Sequence, residues 1–72
     1  MKIRLTDSRR LGELLSYLRS RGCIAYVRPQ APDTIDALLP RLSGRHESDA
    51  ISALLDVWEL RNPGEPVERF PG

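Results

Sequence analysis

The sequence predicts one α/β domain in which two helices lie on one face of a four-stranded antiparallel sheet. Three observations predict it: a polar–apolar alternation at the amino terminus, two separate leucine-rich stretches at helical period, and short β-branched or aromatic runs after each, set off by glycine and proline. With 72 residues the chain is long enough for a single domain, 1–72, and too short for two.

Lys2-Ile3-Arg4-Leu5 alternates, which puts Ile3 and Leu5 on one face of a first strand and Lys2 and Arg4 on the other. Thr6-Asp7-Ser8 then offers short side-chain oxygens for the free N–H groups of a first helical turn. Leu11, Leu14, Leu15 and Leu18 follow at i, i+3, i+4 and i+7, a single apolar stripe, and Gly22 suits the left-handed position that closes a helix. Cys23 to Val27 reads as a second strand, broken by the two prolines of Arg28-Pro29-Gln30-Ala31-Pro32-Asp33.

Thr34 to Leu39 fits two periods. Ile35, Ala37 and Leu39 share a strand face, whereas Ile35, Leu38, Leu39 and Leu42 also form a helical stripe. Pro40 would stop a helix after barely two turns and the second strand needs a hairpin partner, so a strand is expected, with a short helix as the alternative. Ser43 to Glu47 reads as a polar loop, and Ser48 or Asp49 as the cap of a second helix carrying Ile51, Leu54, Leu55 and Trp58 at the same spacing as the first. Asn62-Pro63-Gly64 ends it, and Val67 to Phe70, between Pro66 and Pro71, makes a last edge strand. The order is βαββαβ.

Hydrophobic content of 40% with 29% charged residues is that of a folding chain rather than a disordered one. A chain this short buries only about 60% of its unfolded surface, and such cores rarely supply more than about 3–5 kcal/mol net, which favours self-association. Cys23 is the single cysteine, so no internal disulfide forms, and with no signal peptide or long apolar run the expected location is cytoplasmic, away from membranes. The net charge of +1 conceals a polarity: seven basic and two acidic side chains in residues 1–28, four basic and eight acidic in residues 29–72.

This order of elements over residues 2–70 resembles small ferredoxin-like βαββαβ domains, built from two interleaved right-handed βαβ units. The resemblance is one of pattern alone. It implies an architecture and no chemistry, because the same fold carries many unrelated activities.

No catalytic set is legible. His46 is the only imidazole, in a polar stretch beside a helix start, and no nucleophile is paired with it. One Cys and one His do not make a structural zinc site, Thr6-Asp7-Ser8 stands where a metal-binding Cys-x-x-Cys would be, and no glycine-rich phosphate loop occurs, so no enzyme, metal or cofactor is expected. Cys23, in an apolar run, reads as a small buried side chain.

Two surfaces remain. Lys2, Arg4, Tyr26 and Arg28 would project from the sheet face opposite the helices, together with Asp36, which should pair with Arg4 if the first and third strands are neighbours. Ser8, Arg9 and Arg10 form a candidate anion site, since arginines in a first helical turn oppose the dipole unless something offsets them. Arg10, Tyr17 and Arg21 share a helix flank suited to a cation–π stack. The reading that follows is an interaction domain with a protein partner, itself or another, through the open sheet face, an edge strand or a dimer. Nucleic-acid binding by the basic amino-terminal half is the second reading, weakened by the single tyrosine and by Asp36; a small anionic ligand at the first helix is the third.

Overall fold

A computed structural model describes residues 1–70 of the chain; Pro71, which the sequence places beside the last strand, lies outside the described residues. The elements are β1 (Lys2–Leu5), α1 (Leu11–Ser20), β2 (Ile24–Val27), β3 (Thr34–Leu38), α2 (Gly44–Arg61) and β4 (Val67–Phe70), with one 3-10 turn over Ser8–Arg10. The strands lie side by side as β2-β3-β1-β4, every neighbouring pair antiparallel. This is the ferredoxin-like arrangement, and the segment that fitted two periods is a strand.

Alternation decides the sheet. Ile3, Leu5, Ala25, Ile35 and Ala37 turn to one side and are buried with Leu11, Leu14 and Leu18 of α1 and Ile51, Leu55 and Trp58 of α2. Both helices therefore seal the same face. Small alanines on β2 and β3 let the bulky helix side chains approach, and Tyr17 ties the helices together by donating its hydroxyl proton to the Leu54 carbonyl at 2.8 Å.

The helix boundaries differ from the sequence reading. Before α1 the chain makes a 3-10 turn, so Arg9 and Arg10 precede the α-helix and Leu11 begins it. The far end is a Schellman closure: Gly22 sits at φ +92°, the Cys23 N–H donates to the Leu18 carbonyl at 3.1 Å and the Gly22 N–H to Arg19 at 3.1 Å. Cys23 thus belongs to the cap, and β2 begins one residue later than expected; β3 likewise ends at Leu38, one residue early.

α2 departs further. It starts at Gly44, not after Glu47, and so absorbs the expected polar loop with His46 in its first turn. The reason is tertiary: the Glu47 carboxylate, in the first turn where a negative charge suits the dipole, accepts the Leu39 N–H at 3.0 Å. That bond fixes the β3–α2 connection and extends the helix towards it. Ser43, extended at φ −139°, is the N-cap in place of Ser48 or Asp49.

At the edge strand β4, Arg69 points inward among the helices' partners. Its guanidinium donates to the Asp56 carboxylate at 2.8 Å, to the Ser52 carbonyl at 3.3 Å and to Glu59, clamping β4 to α2. A charged side chain directed inward is one of the devices that keep an edge strand from pairing with another chain.

Candidate interaction face

The sheet side away from the helices is uncovered, and the strand register arranges it in rows. Tyr26, Asp36, Lys2 and Phe70 are cross-strand partners in succession from β2 to β4, and form the middle row. Towards one end, Thr34, Arg4 and Glu68 form the next, with Arg28 completing it just past β2. Towards the other, Ile24 stands opposite Leu38. One end of the face is apolar, the other charged.

All five residues assigned to this face by sequence, Lys2, Arg4, Tyr26, Arg28 and Asp36, lie on it. The expected Arg4–Asp36 ion pair does not form. Although β1 and β3 are neighbours, the register sets Arg4 opposite Thr34 on one side and Glu68 on the other, and its guanidinium donates to both Glu68 oxygens at 2.9 and 2.8 Å. Asp36 instead takes Arg28, diagonally across β2, at 2.8 Å. The pair with Glu68 raises the Arg4 pKa, first through the hydrogen bond and then through charge; Tyr26 and then Asp36 do the same for Arg28. Arg4 also sits 5.9 Å above the centre of the Phe70 ring.

The sequence reading missed three apolar residues of the face, Ile24, Leu38 and Phe70, beside the Tyr26 it had placed there. Among the described residues seven large hydrophobic side chains are exposed, and four of them, Ile24 (52%), Tyr26 (39%), Leu38 (42%) and Phe70 (46%), project here. Continued alternation along β4 was the available signal for Glu68 and Phe70, since Val67 and Arg69 turn to the helices. For Leu38 the signal was its place one residue after inward-facing Ala37.

A surface cavity of about 570 Å³ opens on the same side where the β2–β3 connection turns over the sheet, lined by Lys2, Arg28, Gln30, Ala31, Thr34 and Asp36.

Each edge strand is engaged by an arginine. Ala37 bonds towards β1, donating its N–H to Met1 at 2.9 Å, so its β2 partner Ala25 directs its backbone groups to the outer edge. There Arg19 Nε donates to the Ala25 carbonyl at 2.9 Å and occupies part of that edge. The β4 edge has the Arg69 clamp.

The second candidate, Ser8, Arg9 and Arg10, is engaged by the chain itself. Asp7 accepts Nε–H and Nη2–H of the Arg9 guanidinium, each at 3.1 Å, and the Arg9 backbone N–H at 3.0 Å, which together hold the Asp7 carboxyl below its ordinary pKa. Arg10 pairs with Glu13 at 3.5 Å. These acids supply the offset that two arginines before a helix require. On the same helix Arg21 stacks 5.6 Å from the Tyr17 ring centre, while Arg10 takes no part in that stack. His46 is exposed, and among the described residues no cluster of His, Cys, Asp and Glu is arranged to hold a metal ion, nor is any helix long and apolar enough to cross a membrane.

Compared with models of protein families, with curated proteins and with solved structures, the chain matches none.

Proposed function

We propose that this chain is a non-catalytic interaction domain whose working surface is the open face of the sheet and whose partner is a second copy of itself. The observation that carries the reading is the gathering of Ile24, Tyr26, Leu38 and Phe70 on one flat side, where isolated exposed hydrophobics would carry no meaning. Charge favours a like partner over a polyanion. Of the three cations on the face, Arg4 and Arg28 already hold Glu68 and Asp36, so nucleic acid would have to displace two ion pairs to gain its contacts. The thin core of a 72-residue chain gains further apolar burial by doubling.

Sedimentation from about 1 µM to about 1 mM tests it, a range suited to a small interface. The average mass of the wild-type chain should climb from 8.1 kDa towards twice that value. A Tyr26→Glu, Leu38→Glu double variant, folded by circular dichroism, should remain a monomer. A wild-type chain that stays monomeric throughout removes the reading.

A further inference from the structure

The order of side chains across the face determines how two copies fit, an inference that rests on the face being the site of self-association. The middle row reads Tyr26, Asp36, Lys2, Phe70, with aromatic rings at both ends and opposite charges at the centre. Reversed, it becomes Phe70, Lys2, Asp36, Tyr26, so that ring falls on ring and each charge on its opposite. The charged row behaves alike: Arg28, Thr34, Arg4, Glu68 reversed sets Arg28 against Glu68 and Thr34 against Arg4.

We propose that two copies stack face to face about a two-fold axis parallel to the strands and midway between β1 and β3. Tyr26 then lies over the partner's Phe70, Lys2 over the partner's Asp36 and Arg28 over the partner's Glu68. A closed two-fold contact must be complementary to itself, and this operator is the one that reverses each row while keeping it at its own level.

The other two-fold in the plane of the face, perpendicular to the strands through the middle row, does not reverse the rows. It would set Lys2 on Lys2 and Asp36 on Asp36, a juxtaposition that costs several kcal/mol in general. Sliding one copy along the strands by a row is not open to a closed pair, because a two-fold parallel to the strands keeps every residue at its own level. Charge therefore selects the axis, and two-fold closure fixes the register. Lys2 gains most, because among the described residues it has no carboxylate within ion-pair distance in its own protomer, and opposite the partner's Asp36 it acquires one.

Aligned sheets pack about 10 Å apart at roughly 30°, and strands 4.7–4.9 Å apart put the row ends about 14 Å from one another. The central charges thus stay in register despite the twist, and the cavity beside Thr34 and Asp36 gives room to the partner's long Lys2 and Arg4 side chains. Four short strands bury an area at the low end of specific interfaces, so a dissociation constant in the micromolar range or weaker is expected.

The Arg28–Glu68 contact provides the test, because these residues occupy opposite edges of one protomer and meet only between copies. Arg28→Glu alone and Glu68→Arg alone each set like charges together twice per dimer, and each should weaken self-association at least about tenfold by sedimentation. Mixed in equal amounts, the two variants form a heterodimer with opposite charges at both contacts. That mixture should associate within a few-fold of wild type, read by energy transfer between differently labelled chains. Two results overturn the geometry: a mixture no tighter than the separate variants, or single variants as tight as wild type. If the geometry fails in either way while Tyr26→Glu, Leu38→Glu still abolishes dimers, the face remains the interface and only this axis is lost. A monomeric wild type would instead remove the underlying reading.

Discussion

The two faces of one four-stranded sheet have been given opposite tasks by side chains that differ only in parity along the same strands. On β3, Ile35 and Ala37 are fully buried under the helices, while Asp36 and Leu38 stand on the open side. On β4 the parity carries a reversal of chemistry: the helix-facing position is the charged Arg69 and the open-facing one is Phe70. The covered face spends its one long charge at the edge strand, where it anchors β4 to α2. The open face keeps apolar side chains that a monomer has no use for. Exposure of apolar groups here is not a shortage of burying material, since the helices bury the centre of the other side, Ile3, Leu5, Ile35 and Ala37.

The largest expected effect separates the faces by stability. Leu14→Ala removes a fully buried side chain from the junction of α1 with the sheet, and large-to-small changes of this type cost about 2–5 kcal/mol. Against about 3–5 kcal/mol for a domain of this size, the variant should be largely unfolded at 25 °C in urea titration. Leu38→Ala, on the open face beside Ile24, should cost below about 1 kcal/mol in the monomer. Equal losses at the two positions would mean that the open face contributes to the monomer's core and would break the distinction.

A smaller effect is expected at Arg69. Arg69→Ala deletes contacts to Asp56, Glu59 and the Ser52 carbonyl, but Asp56 is largely exposed and can be hydrated. Discounted for that screening, the loss should be about 1–2 kcal/mol. It should shrink with added salt, and exchange of the β4 amides should quicken before those of β1. A variant whose β4 amides remain as protected as wild type would show that apolar contact of Val67, rather than the clamp, holds the edge strand.

Much of the architecture was legible because it depends on local period. The leucine-rich stripes fixed both helix faces, alternation fixed the inward set of Ile3, Leu5, Ala25 and Val27, and Pro40 with the need for a hairpin partner tipped Thr34 to Leu39 to a strand, which forms over Thr34–Leu38. What escaped depends on contacts between distant residues. Nothing near Gly44 reveals that Glu47 will cap the Leu39 N–H, so the start of α2 was placed too late. Nothing in β1 and β3 reveals that β4 will bring Glu68 beside Arg4, so Asp36 was given the wrong partner. The cationic half of the open face was read from alternation; the same alternation puts Ile24, Leu38 and Phe70 on that side, but their place relative to the charges depends on a register that only the folded sheet supplies.

The smallest expected effect lies at the rim of the covered face, where Cys23 follows the Schellman turn. Burial pushes its thiol pKa up, and the nearby Glu47 carboxylate adds to the shift. The folded state thus favours the protonated thiol more than the unfolded state does. The resulting stabilisation is full below the ordinary thiol value, about 8.5, and is lost as pH rises through that value towards the raised one. Urea midpoints from pH 7 to pH 10 should fall more for wild type than for Cys23→Ala, the difference isolating the thiol from the other groups that titrate there. Native Cys23 should also react more slowly with a disulfide reagent than the same chain in urea at equal pH. A thiol on the open face would show neither behaviour. Parallel pH curves for the two proteins, or equal labelling rates in the folded and unfolded chains, would place Cys23 outside the sealed side of the sheet.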